Sequence, residues 1–178
     1  MGSGARARAG RVMATRASAD TVTIRPATED DLDDIAAIER AVFRDPWSRR
    51  SFADLVHVSN VLFLVASDND AVVGYAVVLS SGVESELANL AVGRLMQQRG
   101  VGRRLLQEAT TAARLRECRE MFLEVRESNT SAIRLYSSAG FQAVGRRARY
   151  YARPIEDAIV MRMDLIEGRG SRFEGRGK

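Results

Sequence analysis

The chain has 178 residues, 46% of them hydrophobic and 28% charged, which supplies side chains for one domain-sized core and is too apolar for disorder throughout. No apolar run approaches the ~18 residues of a membrane-spanning helix, so the sequence reads as a soluble globular protein. Single His57 and Cys118 exclude a zinc centre of histidine and cysteine alone, an internal disulfide and HExxH chemistry, and the lone Lys178 excludes a GxxxxGK[ST] phosphate loop and Schiff-base catalysis.

The net charge of +4 sits at the ends. Residues 1–20 carry four arginines against Asp20, and residues 166–178 carry three arginines and Lys178 against Glu167 and Glu174. The stretch 21–165 holds 19 arginines and 20 acids, so the domain expected there is close to neutral. Residues 1–20 read as a disordered basic leader, native or expression-derived, and 166–178 as a disordered Gly/Arg-rich tail. Neither has the apolar core of a secretory signal, which points to a cytoplasmic location without membrane contact. Contact with nucleic acid is expected only as a weak effect of these tails.

Between the ends, strand and helix signals alternate. Val22 and Ile24 before Pro26 predict a short strand. Thr28 followed by acids at 29–31 predicts a helix start, and Leu32, Ile35, Ile38, Ala41 and Val42 continue at helical spacing. Pro46 and Trp47 interrupt, and Ser48 caps a shorter helix predicted to run to about His57. Residues 61–67 and 71–81 are β-rich around Asp68, Asn69 and Asp70, a hairpin pattern. In ESELANLAV (84–92), strict alternation puts Leu87, Asn89 and Ala91 on one face and Ala88, Leu90 and Val92 on the other. Leu105, Leu106, Ala109, Ala112 and Ala113 form one face of a following helix. A strand at 121–128, a short helix stopped by Gly140, a strand beginning at Phe141–Val144 and a closing strand through Ile159, Met161, Met163 and Leu165 complete the order β-α-α-β-β-β-α-β-α-β-β. The expected fold class is α/β, a mixed sheet with helices on its faces.

The segment Gln97-Gln98-Arg99-Gly100-Val101-Gly102-Arg103 lies between a strand and a helix. Glycines there let the backbone come close to a ligand, the first helical N–H groups face outward, and Arg99, Arg103 or Arg104 adds positive charge, which together make a phosphate cradle. The same residues also fit a plain strand-to-helix turn. The pattern is not a dinucleotide fingerprint, because Leu105 stands at the third glycine position.

The Q-x-x-G-x-G loop after NLAV, followed by LEVRESNTSAIRLYSSAGF, resembles the GCN5-related N-acetyltransferases (GNAT) over roughly Val22 to Leu165. With Tyr150, Tyr151 and Asp157 to Met161, the chain is most similar to the branch that acetylates the N-terminal alanine of a small-subunit ribosomal protein. The resemblance implies a central, mostly antiparallel twisted sheet flanked by helices on both faces, with acetyl-CoA as donor and no metal. It implies that the pyrophosphate lies on Gln98, Arg99, Gly100, Val101, Gly102 and Arg103, that the acetyl carbonyl lies near Leu90, Ala91 and Val92, and that Asn129 is a further contact. Gly93-Arg94 stands where the family often has Asp-Pro, and the segment Ala152 to Glu156 departs from relatives in length and sequence.

Acetyl transfer to an amine needs a group to take the amine's proton and a donor for the departing thiolate. An α-amine of pKa ~8 gives its proton to a carboxylate at modest cost, directly or through water, and Glu124 suits that role late in its strand. Tyr136, one helical turn after Ala132 and Ile133, suits the acid, because a phenol of pKa ~10 stays protonated at neutral pH. By residue type alone, Glu124 also reads as a surface strand carboxylate, Tyr136 as a core tyrosine and Asn129 as a helix cap. Tyr150 and Tyr151 are candidate walls of the acceptor groove, with one of the two expected to face it. His57 reads as a helix-end residue and Cys118 as a bystander. A lysine or small-molecule amine as acceptor, and a non-catalytic acyl-CoA-binding module, are the competing functions.

Overall fold

The computed structural model describes residues 22–166, so the predicted leader and almost all of the predicted tail lie outside the described residues. The element order is β1 (Thr23–Pro26), α1 (Leu32–Val42), α2 (Arg49–Ala53), β2 (Val61–Asp68), β3 (Ala71–Ser81), β4 (Glu84–Val92), α3 (Val101–Leu115), β5 (Glu120–Arg126), α4 (Thr130–Ser138), β6 (Gln142–Ala152) and β7 (Ile155–Asp164). This is the predicted order. The strands form one seven-stranded sheet, β1-β2-β3-β4-β5-β7-β6, antiparallel except for β4 beside β5. Those two are joined by α3, the crossover that a parallel pair requires.

The sheet separates two apolar layers. Leu105, Leu106 and Ala109 of α3 and Tyr136 of α4 pack with Leu64, Val78 and Met121 on one face. Leu32 and Ile35 of α1 and Phe52 of α2 pack with Phe63, Val65 and Tyr75 on the other. Burying each such large side chain contributes about 1.5–3 kcal/mol relative to leaving it in water.

Local departures from the sequence reading have local causes. Helix α2 ends at Ala53, short of His57, because the chain tightens into i→i−3 turns, Leu55 N–H bonding Phe52 O and Val58 N–H bonding Leu55 O. Strand β5 ends at Arg126 because Asn129 N–H closes a turn on Arg126 O, so Glu127 and Ser128 leave the strand. In β4, the register against β3 slips, with Asn89 opposite Val77 but Leu87 opposite Val78. Ala88 is therefore a β-bulge. It moves Leu87 onto the α3 face with Val92, while Ala88 and Ala91 face α1, contrary to the strict alternation expected.

The start of α1 is held by charge. Asp31 accepts from Thr28 N–H at 2.8 Å and takes both arms of the Arg25 fork at 2.7 Å. The guanidinium bond lowers its carboxyl from 3.8 to about 2, helped by the Thr28 bonds. A carboxyl lowered in the folded state stabilises the fold above its unfolded value, and this is lost as pH falls from about 4 to about 2. Asp31→Asn is expected to cost roughly 1–2 kcal/mol at neutral pH, after discounting for the partly exposed arginine. It should also flatten the stability curve across that acid window, as denaturant titrations at neutral pH and pH ~2.5 would show.

Candidate active site

Strands β4 and β5 pair only from Glu84–Glu86 to Glu120–Phe122 among the described residues. Beyond this they part, while β4 stays paired to β3 up to Val92 and β5 to β7 up to Arg126. The result is a slot in mid-sheet. One flank of Leu90, Ala91 and Val92 faces it outside any strand ladder, and backbone polar groups in that position call for a partner. An extended ligand arm with amide groups suits such a slot.

At one end of the slot stands the N-terminus of α3. Gln98 (φ 59°) and Gly100 (φ 87°) are both left-handed, and the latter is the helix N-cap. Gly100 therefore serves backbone conformation. The first i→i−4 bond of α3 runs from Arg104 N–H to Gly100 O, so the N–H groups of Val101, Gly102 and Arg103 precede the ladder and face outward as anion donors. A Cβ at Gly102 would make ordinary van der Waals contact with Leu135, Val92 and Leu90 at 3.5–3.9 Å, so packing alone does not demand glycine there. Gln97 donates to Val92 O at 3.0 Å, fastening the loop to the end of β4. Arg103 reaches Ser138 Oγ of α4, whereas Arg104 donates to Val22 O.

Glu124 and Tyr136 come from the β5–α4 side. The side chain of Glu124 is 14% exposed, and its Oε1 lies 3.1 Å from Arg147 Nη2 of β6. Tyr136 is buried, its ring edge-on to Phe141 at 5.8 Å, and burial, then the nearby Tyr151, push its phenol up to about 12. Tyr151 of β6 reaches back to β5: its hydroxyl lies 3.4 Å from Glu124 O, and its ring lies under the Arg126 guanidinium at 4.0 Å. Tyr150 is 48% exposed and meets Tyr151 edge-on. Of the two tyrosines, Tyr151 is thus the one turned inward. Asn129 caps α4, accepting from Ala132 N–H at 3.2 Å and from Ser131 Oγ. His57 pairs with Glu29 at the surface, and Cys118 is buried against Glu84 O.

The outer walls are the α1–α2 loop and the β6–β7 hairpin. Asp45 of the loop approaches Arg126 at 3.9 Å and Arg153 of the hairpin at 3.6 Å. Asp157 accepts from Arg149 N–H and from the Arg146 side chain, fixing a second irregularity, between Arg147 and Tyr151. Beneath the loop, Glu39 of α1 is 1% exposed. It accepts from Trp47 N–H at 2.8 Å, from the Tyr75 hydroxyl and from Asn89 Nδ2 at 3.3 Å. Glu86, at the slot mouth, has its carboxyl pushed up, first by lost hydration and then by Glu124, against the pull of Arg147.

Residues 32–141 match the model of the acetyltransferase (GNAT) family. The chain belongs to that family. It is 36% identical over 154 residues, covering 83% of this chain and 96% of that protein, to the N-alpha-acetyltransferase RimI of Mycobacterium tuberculosis. It is 34% identical over 148 residues, covering 82% and 98%, to the [ribosomal protein bS18]-alanine N-acetyltransferase of Salmonella typhimurium. The solved structure of the ribosomal-protein-S18-alanine N-acetyltransferase from Escherichia coli superposes with a TM-score of 0.76 at 32% identity, over 85% of this chain and 99% of that one. The chain is accordingly an acetyl-CoA-dependent N-acetyltransferase with the GNAT fold.

Where GNAT proteins often carry Asp-Pro, this chain holds its loop entry by other bonds: Gly93 N–H to Val73 O and Arg94 Nε to Ala41 O, both at 2.8 Å. The sequence reading missed Glu39, Glu86 and Arg147. Glu39 carried a signal, since it falls on the buried stripe of α1, four residues after Ile35 and three after Ala36. Glu86 and Arg147 carried none, because strands β4, β5 and β6 meet only through the topology. None of the described helices is long and apolar enough to cross a membrane.

Proposed function

We propose that this protein transfers the acetyl group of acetyl-CoA to the N-terminal α-amine of a protein, a ribosomal-protein N-terminal alanine being the acceptor, in the cytoplasm. The observation that carries this reading is the parting of β4 and β5, with an anion-binding helix N-terminus at one end and a carboxylate and a buried phenol along its walls. The relatives named above, which match nearly end to end, support the acceptor class.

Acetyl-CoA supplies the acetyl group as a thioester. The first-turn N–H groups of Val101, Gly102 and Arg103, with Gln98, Arg99 and Gly100, hold its pyrophosphate; Leu90 to Val92 present the free strand flank to its pantetheine arm and polarise the carbonyl; Asn129 lines the route. Glu124 takes the amine's proton, directly or through one water. Tyr151 borders the acceptor beside Glu124, with Tyr150 outside it. Tyr136, at about 12, keeps its proton across the working pH range. It is a weaker acid than a thiol of ~8.5, so it acts as a hydrogen-bond donor to sulfur as charge develops there.

Tyr136→Phe keeps the ring packing on Phe141 and removes that donor. The expected result is a fall in kcat of about 10- to 10²-fold with CoA affinity and melting temperature nearly unchanged. Turnover kinetics alongside calorimetric CoA binding check it, and full activity would reassign Tyr136 to packing. The function itself is tested by acetyl-CoA turnover against peptides differing only in their first two residues, with a polyamine and an internal-lysine peptide as controls. Preference for a free N-terminal alanine supports the reading. Turnover confined to the controls, or none despite tight CoA binding, overturns it.

A further inference from the structure

Glu124 does not stand open to the slot. The carboxylate sits on an inner strand with its side chain 14% exposed, while Arg147, 3.1 Å away on edge strand β6, is 58% exposed. The cation can leave into water; the anion cannot. Neighbouring arginines are tied down more firmly. Arg126 is held by Glu156 and by the carbonyls of Arg153 and Pro154, and Arg146 bridges Glu127 and Asp157. Among the described residues, the ion-pair partner of the Arg147 side chain is Glu124, Glu86 at the slot mouth also attracts it, and its ring neighbour is the exposed Tyr150 at 5.6 Å. The backbone of Arg147 is fixed by pairing with Ala158, so the side chain can swing without the strand moving.

A primary amine of pKa ~8 reaches the enzyme at neutral pH mainly as an ammonium ion. It meets a carboxylate that already has a cation on it, and two cations on one carboxylate repel each other. We propose that Arg147 is an exchangeable counter-ion of Glu124: the acceptor's ammonium displaces the guanidinium, takes its place on the carboxylate, and Arg147 turns outward along Tyr150. The inference rests on the reading of Glu124 as the acceptor's base. One ion pair on Glu124 replaces another in the exchange, and Glu86 at the slot mouth attracts the incoming ammonium as it attracts Arg147. Arg147 is thereby a specificity-determining residue. It holds the carboxylate in position in the resting enzyme and raises the concentration at which any ammonium ligand must be present, so acceptors that also bring contacts along the groove walls are favoured.

The test compares Arg147→Gln and Arg147→Ala with wild type and Glu124→Gln, using an alanine-initiated peptide and acetyl-CoA. Arg147 is exposed, so these variants are expected to fold as wild type does, and melting temperatures check this. Both arginine variants are expected to lower the acceptor KM by ~2- to 5-fold, the range for a partly exposed pair, with CoA affinity unchanged. Methylguanidinium chloride, added as a stand-in for the lost side chain, is expected to compete with the peptide in Arg147→Ala and to have less effect on wild type. An acceptor KM that rises or stays constant, or CoA affinity that falls along with kcat, overturns the exchange. If Glu124→Gln loses activity while the Arg147 variants keep the wild-type KM, the base stands and the exchange falls. If Glu124→Gln is fully active, both fall.

Discussion

In Glu124→Gln, kcat for an N-terminal peptide is expected to fall by about 10²- to 10⁴-fold at neutral pH, with CoA affinity retained. The substitution keeps the size and planarity of the side chain and removes its capacity to take a proton. The residue lies in β5, anchored on both sides of its strand segment by pairing of Leu123 with Met161 and Val125 with Ile159, so the amide will sit where the carboxylate sat. CoA affinity is expected to persist because the anion-binding turn belongs to α3, at the other end of the slot. Rate measurements from pH 6 to 9 with calorimetric CoA binding decide the matter, and a wild-type rate across that range would return Glu124 to a structural role.

Glu39→Ala is expected to produce the largest loss of stability among the site-related substitutions, about 2–4 kcal/mol. The side chain is 1% exposed, and its removal strands three donors: Trp47 N–H, the Tyr75 hydroxyl and the Asn89 amide. Tyr75 is itself fully buried, so its hydroxyl has no route to water. Unmet buried donors cost more than the net worth of the bonds that satisfied them, and a cavity adds to the cost. The melting temperature is expected to drop on the order of 10 °C. Glu39→Gln, which keeps one acceptor oxygen, should lose less. Urea unfolding of the two variants checks this, and a Glu39→Ala midpoint equal to wild type would show that the network contributes nothing. Because Trp47 belongs to the α1–α2 loop, the acceptor KM is also expected to rise in the alanine variant while CoA affinity holds.

The elements of this protein were legible because their signals are local. Helical spacing from Leu32 to Val42, the glycine stop at Gly140 and the polar turn at Asp68 to Asp70 each act over a few residues, and the order of strands and helices follows from them. The loop proposed to hold the donor stood out for the same reason, since Gln97 to Gly102 lead continuously into the start of a helix. Glu124 and Tyr136 stood out as candidates through their place in a contiguous strand-turn-helix block and its resemblance to a family.

What lay between segments was not legible. Strict alternation in β4 failed at Ala88, because a bulge is set by registry against β3 rather than by the residues of β4 alone. The slot exists because β4 and β5, adjacent only through the α3 crossover, pair from Glu84–Glu120 to Glu86–Phe122 and then diverge. The Arg147 to Glu124 ion pair joins an edge strand to an inner one across β7, and Glu39 of helix α1 meets Asn89 of β4 fifty residues on. By itself the sequence determined the parts, through spacings of two and 3.6 residues and the turns between them. Only the tertiary structure decided which charges face each other, because strand order and register are fixed by burial of the whole sheet, and a pairing across such distances in sequence leaves no periodicity to read.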